Sequence, residues 1–287
     1  MPSGVETHRS QIVGVAAVCL LGFAAPAHAD KWSWGPESPF QLDGTTDTGL
    51  IALGVPLWLM PHFYDVQLDP PSCGTATTAA CDLSKVPWFD RPFMYSNSGL
   101  RPAGDFMLTY GPLIAMPLLF LDYGPARWRD YLTDLTIIFE SWAWSGAMTH
   151  MFRYAVRRPR PYLYTSVDTP NEPNRNDADA TMSFPAGHVS ETVGFGVALA
   201  YTITVRHGLS WRSVAAWTGV ALFGLTMSVL RIGSGDHFLS DTVVGTLIGV
   251  SSGVLVPRLH RRVGSATVAI APLVSSDMGG VSLAGHF

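Results

Sequence analysis

Long apolar runs without strand-type alternation dominate the chain from Asp105 onward. Each run is longer than a typical β-strand, and polar or glycine-containing links separate the runs, a pattern that predicts α-helices. We expect five helices, over Phe106 to Leu121, Tyr131 to Val156, Val189 to Val205, Val214 to Leu230 and Phe238 to Val256. The predicted fold class is all-α, a helical bundle over residues 105–262.

The segment before the bundle, residues 30–104, has a different texture. Residues 30–47 are polar, and residues 48–63 are apolar but contain Pro56 and Pro61, which favour a short helix. Residues 64–104 are rich in Pro, Gly and Ser. We therefore expect a loop-rich N-terminal region that belongs to the same domain.

The two ends of the chain have patterns of their own. A weakly basic start, the apolar run from Ile12 to Pro26 and the small residues before Asp30 predict a signal peptide over residues 1–29, with an uncleaved anchor helix as the alternative. At the other end, two β-capable runs, Ala266 to Leu273 and Gly280 to Phe287, flank a turn-forming segment. This pattern predicts a short C-terminal β-hairpin over residues 263–287.

Charge changes the picture in two ways. Only 14% of the residues are charged and the net charge is −4, so the protein has no excess of positive charge to attract a nucleic acid. The hydrophobic content of 47% argues against disorder. Sixteen of the 18 basic residues are Arg, and five lie between Arg153 and Arg175. The planar donor fork of Arg suits phosphate oxygens, so this grouping indicates an anion site.

Two cysteines remain if the signal peptide, which contains Cys19, is removed. Cys73 and Cys81 lie in one loop of an exported chain, so a disulfide between them is expected, with two free thiols as the alternative. No His or further Cys accompanies them at ligand spacing, and the sequence predicts no metal site.

Three polar clusters each lie beside a predicted helix end. The segments are RYAVRRPRP from Arg153 to Pro161, SFPAGH from Ser183 to His188 and RIGSGDHFLSD from Arg231 to Asp241. The long loop from Tyr162 to Met182, which joins the first two clusters and carries four acidic residues, is expected to shape the entrance to a site.

The third cluster supplies a candidate nucleophile. His237 opens a predicted helix and Asp241 follows four residues later, so both side chains are expected on one helical face. A carboxylate there would hold the Nδ1–H group of the imidazole and direct Nε2 outward. Arg231, at the end of the preceding helix, would reach the same phosphate.

His188 is a candidate general acid. It begins a predicted helix after Pro185, Ala186 and Gly187, where free backbone N–H groups and the positive end of the helix favour an anion. Its imidazole could donate a proton to a leaving oxygen. Each histidine taken alone could instead cap a helix or pack in the core, but the pairing with Arg at neighbouring helix ends favours chemistry.

These clusters resemble the signature of the type 2 phosphatidic acid phosphatase superfamily, which also includes bacterial class A nonspecific acid phosphatases and vanadium-dependent haloperoxidases. The family pattern is Lys-x6-Arg-Pro, then Pro-Ser-Gly-His, then Ser-Arg-x5-His-x3-Asp. The matching segments here start at Arg153, Pro185 and Leu230, in the same order. The resemblance covers about residues 105–257.

The resemblance implies a helical bundle of the phosphatidic acid phosphatase/haloperoxidase type that hydrolyses phosphomonoesters or diphosphates through a phosphohistidine, with no metal and no cofactor. Position by position, it implies that His237 is the nucleophile, Asp241 its orienting partner and His188 the general acid. The phosphate would be bound by Arg153, Arg160, Arg231 and the backbone N–H of Gly187.

Three positions depart from the family pattern. Arg153 replaces a Lys, which keeps the charge and changes the shape of the donor. Ala186 replaces the Ser whose hydroxyl would donate to phosphate, and Leu230 replaces the Ser before Arg231. None of the three removes a proton-transfer or covalent role, so we expect activity with altered substrate preference.

The leading functional hypothesis is a phosphatase whose substrate is a phosphorylated lipid or a small phosphate ester. A soluble periplasmic nonspecific acid phosphatase, a vanadium-dependent haloperoxidase and a non-catalytic protein that binds phosphorylated lipids are the alternatives.

The predicted location is the inner membrane, with the active site facing the periplasm. Arginines cluster in the links at the noncatalytic end, which fits the positive-inside rule: Arg127, Arg129, Arg206, Arg212, Arg258, Arg261 and Arg262. A cleaved signal peptide leaves residue 30 on the periplasmic side. The predicted topology then requires that residues 48–63 do not span the membrane.

A soluble periplasmic bundle is the alternative, because the uninterrupted apolar runs are short and Glu140 interrupts one of them.

Overall fold

The computed structural model describes residues 38–63, 71–75, 77–95, 97–165, 175–262, 268–274 and 279–285. The predicted signal peptide lies outside these residues. The described part of the chain contains six α-helices: α1 (Gly44–Phe63), α2 (Arg101–Tyr123), α3 (Trp128–Val156), α4 (Gly187–His207), α5 (Trp211–Gly233) and α6 (Leu239–Leu259).

Helices α2 to α6 correspond to the five predicted helices, so the all-α class is confirmed for the bundle. After α6, strand β1 (Val268–Val274) pairs antiparallel with β2 (Gly279–Gly285), with Val268 opposite Gly285. Both strands lie in the C-terminal segment where the sequence predicts a hairpin.

Helix α1 is longer than expected, because it continues through Pro56 and Pro61 over 20 residues. Its packing against α3 explains why. A Cβ atom on Gly146 would lie 1.9 Å from the ring of Trp58, so Gly146 leaves the space that the indole fills. Such apolar packing offsets the backbone hydrogen bonds that the prolines remove.

Helix α4 lies at the centre of the bundle and packs against α3, α5 and α6. The approach to α6 is close, since a Cβ atom at Gly245 would lie 2.6 Å from the Ala186 carbonyl oxygen and one at Gly249 would lie 2.5 Å from that of Ser190. The small residues of α6 therefore bring the starts of the two helices together, where two of the three clusters lie.

The loop that precedes the bundle packs against the catalytic end. Cys73 and Cys81 are joined by a disulfide. The backbone N–H of Cys81 donates to the carbonyl oxygen of Leu163 at 3.0 Å, and both residues pack in one buried cluster with Tyr162. The disulfide loop thus supports the turn that follows Arg160.

Several helix faces are apolar and exposed. Within the described residues, three helical segments are long and apolar enough to cross a membrane: Ser98–Tyr123, Trp211–Gly233 and Leu239–Leu259. Side chains such as Leu118 and Leu121 on α2 and Leu225 on α5 have more than half of their surface exposed. Apolar area on this scale is unusual for a soluble monomer.

Candidate active site

The three sequence clusters converge at one end of the bundle. Arg153 lies in the last turn of α3, His188 is the second residue of α4, and His237 lies in the link between α5 and α6. Backbone hydrogen bonds tie the clusters together. The N–H of Ser183 donates to the carbonyl oxygen of Arg158 at 2.9 Å, and that of Ala186 to the carbonyl oxygen of Asp241 at 3.0 Å.

His237 is almost wholly buried, and the Ser183 carbonyl oxygen orients it. Nδ1 lies 2.5 Å from that oxygen. A carbonyl oxygen can only accept, so Nδ1 carries the hydrogen. The Nε2 atom of the neutral ring therefore keeps its lone pair, as a nucleophile requires.

The prediction that Asp241 directly holds His237 is wrong. Asp241 Oδ2 is 3.8 Å from His237 Nδ1 and instead accepts from the hydroxyl of Ser183 at 2.5 Å. The physical reason is that α6 begins at Leu239, with an extended Phe238 before it, so His237 and Asp241 are not one helical turn apart. Hydrogen bonds connect Asp241 to the imidazole through Ser183, and the direct distance of 3.8 Å is too long for a hydrogen bond.

Arg158 completes the support of Asp241. Its Nη1 donates to Asp241 Oδ1 at 2.6 Å and its Nη2 to Asp90 Oδ2 at 2.7 Å, while its guanidinium lies over the Phe238 ring. Arg158 lies in the first sequence cluster, but the sequence analysis assigned it no separate role. The structure makes it the centre of a buried network behind the site.

Three guanidinium groups act on His237. Burial, followed by repulsion from Arg160 and Arg153 and a smaller effect of Arg231, keeps the pKa of His237 well below its ordinary value. The ring is therefore neutral at physiological pH. The structure thus brings together around His237 the three arginines of the sequence motifs, Arg153, Arg160 and Arg231.

Gly187 allows one of these cations to reach the start of α4. A Cβ atom at this position would lie 2.8 Å from Arg153 Nη2, closer than real contacts allow. Arg153 also donates from Nε to the Pro185 carbonyl oxygen at 3.2 Å. Its guanidinium and the N-terminal N–H groups of α4 thus face the same place, as an anion site requires. Ala186, in the position of the family Ser, is fully buried in an apolar cluster.

Asp236 links two of the arginines from beneath the site. This buried carboxylate accepts from Arg231 Nη1 at 3.1 Å and lies 3.3 Å from Arg160 Nη1. It also accepts from Arg101 Nε at 2.8 Å. Burial alone would raise the pKa of Asp236. The charges of the neighbouring arginines, above all Arg160, outweigh burial and keep this pKa below its ordinary value. Asp236 is ionised and holds Arg160 and Arg231 in place.

Two further carboxylates face the arginines from the more exposed side. Asp179 accepts from Arg160 Nη2 at 2.5 Å, and although burial opposes its charge, Arg160 and Arg153 lower its pKa to about 2. Asp105, on α2, accepts from Arg231 and lies 3.0 Å from Nε2 of His188. The sequence analysis included Asp179 only as one of the four acidic residues of the loop expected to shape the entrance, and it assigned no role to Asp105.

An apolar cavity of about 200 Å³ lies between α2, α4 and α5. Its lining includes Leu108 and Glu191, each three residues after one member of the Asp105–His188 pair. The cavity therefore begins about one helical turn below the polar site. The rest of its wall is almost entirely apolar, including Gly111, Phe195 and Phe223.

One cluster with metal-ligand character occurs elsewhere in the described residues, although the sequence predicts no metal site. It consists of Asp47, Glu140 and His260. These residues come from α1, α3 and the end of α6, so no sequence spacing could have revealed them. They lie at the end of the bundle opposite His237.

Comparison with solved structures gives two matches of low identity. The crystal structure of Aquifex aeolicus LpxE matches with 18% identity and a TM-score of 0.39, over 62% of this chain and 99% of that chain. The first transmembrane PAP2 type phosphatidylglycerolphosphate phosphatase from Bacillus subtilis matches with 18% identity and a TM-score of 0.41, over 74% of this chain and 94% of that chain. A comparison with curated proteins gave no match.

The family comparison is more specific. The matching family model is described as the PAP2 superfamily, and it covers residues 134–265. This range contains all three clusters and both histidines. The match confirms the resemblance found in the sequence, and the similarity to the PAP2 superfamily extends over residues 134–265.

Proposed function

We propose that the protein hydrolyses the phosphate of a phosphorylated lipid through a phosphohistidine on His237. The observation that carries this proposal is the state of His237: its Nδ1–H is bound by the Ser183 carbonyl oxygen, and cationic side chains surround the ring. A neutral imidazole among arginines is suited to attack a phosphate that those arginines bind.

The reaction has two steps. Nε2 of His237 attacks phosphorus, the bond from phosphorus to the leaving oxygen breaks, and protonated His188 gives that oxygen its proton. Water then attacks the phosphohistidine, His188 takes a proton from the water, and the bond from nitrogen to phosphorus breaks to release inorganic phosphate. Burial, together with repulsion from Arg231 and Arg153, lowers the pKa of His188 to about 4 in the free protein, although the contact with Asp105 favours the protonated ring. The negative charge of a bound phosphate offsets the two arginines, so His188 takes up its proton together with the substrate.

Substrate binding requires an exchange of anions. In this structure Asp179 occupies Arg160 and Asp105 occupies Arg231. A phosphate monoester carries about 1.5 to 2 negative charges at pH 7 and offers three acceptor oxygens, so it can replace Asp179 on the guanidinium groups. The buried Asp236 stays in place and keeps the arginines in position.

The intermediate can be tested directly. Enzyme quenched during turnover of ³²P-labelled phosphatidic acid should carry label that is lost in acid and retained in base, as a bond from nitrogen to phosphorus requires. Label should be absent in His237→Ala and present in His207→Ala, which changes a histidine at the other end of α4. Acid-stable label, or label retained in His237→Ala, would reject the mechanism.

The cavity supports a lipid substrate. Its apolar wall begins about one turn below His188, so a chain attached to a phosphate in the site could enter it. Gly111→Leu should fill part of this space, because a Cβ atom there has only the Phe223 ring within 4 Å. We expect kcat/KM to fall for phosphatidic acid and to stay unchanged for glycerol 3-phosphate. Equal losses for both substrates would place the lipid chain elsewhere.

A membrane location follows from the exposed apolar faces of α2, α5 and α6. We place the active site on the periplasmic side, because the disulfide loop packs at the catalytic end and disulfides persist in oxidising compartments. The predicted arginine-rich links then face the cytoplasm.

Helix α1 changes the predicted topology. It starts beside the noncatalytic end, where the N–H of Arg262 donates to the Pro39 carbonyl oxygen at 2.9 Å, and it packs along α3 toward the catalytic end. In a spanning bundle with a periplasmic active site, residues 38–43 are therefore cytoplasmic. A signal peptide cleaved after Ala29 would leave them on the opposite side.

We accordingly propose that this chain reaches the membrane with its N-terminal segment retained. The intact mass of the purified protein tests this proposal, together with labelling of a reporter Cys at Gln41 in a Cys19→Ser background, since a retained N-terminal segment keeps Cys19. Residues 1–29 should be present, and the reporter should react only after the inner membrane is opened. Loss of residues 1–29 with activity released by osmotic shock would instead support the soluble periplasmic bundle.

A further inference from the structure

Three side chains from three helices meet at the end of the bundle remote from His237. Nε2 of His260, directly after α6, lies 2.6 Å from Asp47 Oδ1 on α1 and 3.2 Å from Glu140 Oε2 on α3. Potential ligand atoms of all three residues lie within 4.8 Å of one another. The side chains of His260 and Glu140 have no exposed area, and that of Asp47 has 13%.

The orientation of His260 is fixed by its other nitrogen. Nδ1 lies 2.8 Å from the carbonyl oxygen of Val256, which can only accept, so Nδ1 carries a hydrogen. Nε2 consequently faces the two carboxylates. Histidines that bind metal ions commonly donate their second N–H to a carbonyl oxygen in this way, which fixes the ring and its lone pair.

Glu140 provides the second, independent observation. Neither of its carboxylate oxygens has a hydrogen-bond partner within the described residues, although the side chain is fully buried. A buried carboxylate without hydrogen bonds is destabilising unless a cation compensates its charge or a proton neutralises it. The charged groups that act most strongly on Glu140 are His260 and Asp47.

A single imidazolium does not satisfy this cluster. Its Nε2–H group is directed to Asp47, with which it makes the shorter, hydrogen-bonded contact, and Glu140 receives no hydrogen bond. One positive charge compensates only one of the two carboxylates, so without a further cation the other must take up a proton. A divalent cation would balance both carboxylates and would use the lone pair of a neutral imidazole.

We propose that Asp47, Glu140 and His260 bind one divalent transition-metal ion, with Zn²⁺ as the best match to one imidazole and two carboxylates. The ion would join α1, α3 and the end of α6. Ligand atoms around Zn²⁺ lie about 2.0–2.2 Å from the metal, so Asp47, the most exposed member, must move away from His260 as the ion enters. The site is structural, and it is independent of the proposed catalytic reaction.

The test uses the full chain, purified in detergent, treated with chelator and then supplied with one equivalent of Zn²⁺ after the chelator is removed. Wild type should retain about one Zn²⁺ per chain after gel filtration, measured by elemental analysis, and its Tm should rise. Glu140→Gln keeps the size of the side chain and removes its charge, so bound Zn²⁺ and the rise in Tm should both be lost. His207→Gln is the matched control, because it breaks another His–Asp contact at the same end and should retain Zn²⁺.

Asp47→Asn serves as a second variant if Glu140→Gln does not fold, because Asp47 lies in the first turn of α1 and is partly exposed. It too should lose Zn²⁺. The proposal is overturned if wild type retains no Zn²⁺, or if the folded variants retain as much as wild type. A higher Tm of metal-free Glu140→Gln without any effect of Zn²⁺ on wild type would identify the cluster as an ion pair with excess negative charge.

Discussion

The two ends of the bundle use buried arginines differently. At the catalytic end, Arg160 pairs with Asp179 and Arg231 with Asp105, and these carboxylate side chains are 50% and 59% exposed. At the opposite end, Arg206 pairs with Asp134, whose side chain has no exposed area. Carboxylates that can turn into water can give up their arginine to a phosphate, whereas a buried carboxylate cannot. The first arrangement is exchangeable and the second is fixed.

The same contrast applies to the histidines. His237 is buried among arginines, which keep it neutral, while the carboxylates around His260 outweigh the effect of burial and raise its pKa to about 10. One imidazole therefore offers a lone pair and the other accepts a proton or, as proposed above, exchanges it for a metal ion. The sign of the surrounding charge separates a reactive histidine from a structural one.

Removal of the nucleophile should give the largest difference between the catalytic end and the opposite end of the bundle. His237→Ala should reduce kcat by about 10³-fold or more, because the phosphoryl group loses its covalent acceptor. His207→Ala, at the fixed end, should keep wild-type kcat. The measurement is phosphate release from phosphatidic acid by the two purified variants. Substantial turnover by the His237 variant would contradict the assignment.

Removal of the acid should give a loss that depends on the leaving group. His188→Asn should lower kcat by about 10²–10³-fold for an alkyl phosphate, which needs a proton on its leaving oxygen. The loss should be much smaller for nitrophenyl phosphate, whose leaving group is stable as an anion. Equal losses for the two esters would argue against His188 as the acid.

A variant at the fixed end should affect stability and spare chemistry. Asp134→Asn removes the closer of the two carboxylates that face the buried guanidinium of Arg206, leaving only Asp130 at 3.5 Å, and should reduce the free energy of unfolding by about 3 kcal/mol. kcat per folded molecule should not change. Arg127→Gln is the matched control, because the contact of Arg127 with Asp130 is solvent-exposed and should contribute less than about 1 kcal/mol. Thermal unfolding followed by circular dichroism measures both.

The smallest expected effect concerns the exchangeable carboxylate. Asp179→Asn should lower KM for the phosphate substrate a few-fold, because Asp179 no longer competes for Arg160. Asp177→Asn, in the same loop, keeps an oxygen that can accept from the Asp179 N–H and should leave KM unchanged. A higher KM in Asp179→Asn would mean that this carboxylate positions Arg160 for binding.

The same variant predicts a shift with pH. The negative charge of Asp179 favours protonated His237, so its removal should lower the pKa of His237 further. The neutral ring is the nucleophile, so protonation of His237 abolishes activity. In Asp179→Asn this loss of activity should therefore begin at a lower pH than in wild type. The acid limb of kcat/KM measures this shift, and an unchanged limb would mean that another group controls it.

The helices and the convergence of the three clusters could be predicted from the sequence, because apolar runs and turn-forming residues act locally. The prediction that Pro56 and Pro61 would keep α1 short was wrong, since packing of Trp58 into the space left by Gly146 outweighs local propensity. The role of Asp241 was also predicted wrongly, because its distance from His237 depends on where α6 begins.

By itself, the sequence determined that the chain carries His237, His188 and three arginines in ordered motifs beside helix ends. Only the tertiary structure decided what those groups contact. Asp105 lies 83 positions from His188 and Asp47 lies 213 positions from His260, so neither pairing leaves a spacing that can be read along the chain. Residues of one motif are close in sequence because a single helix end or turn holds them. The carboxylates that set the charge state of these residues can lie on any helix that packs beside that turn.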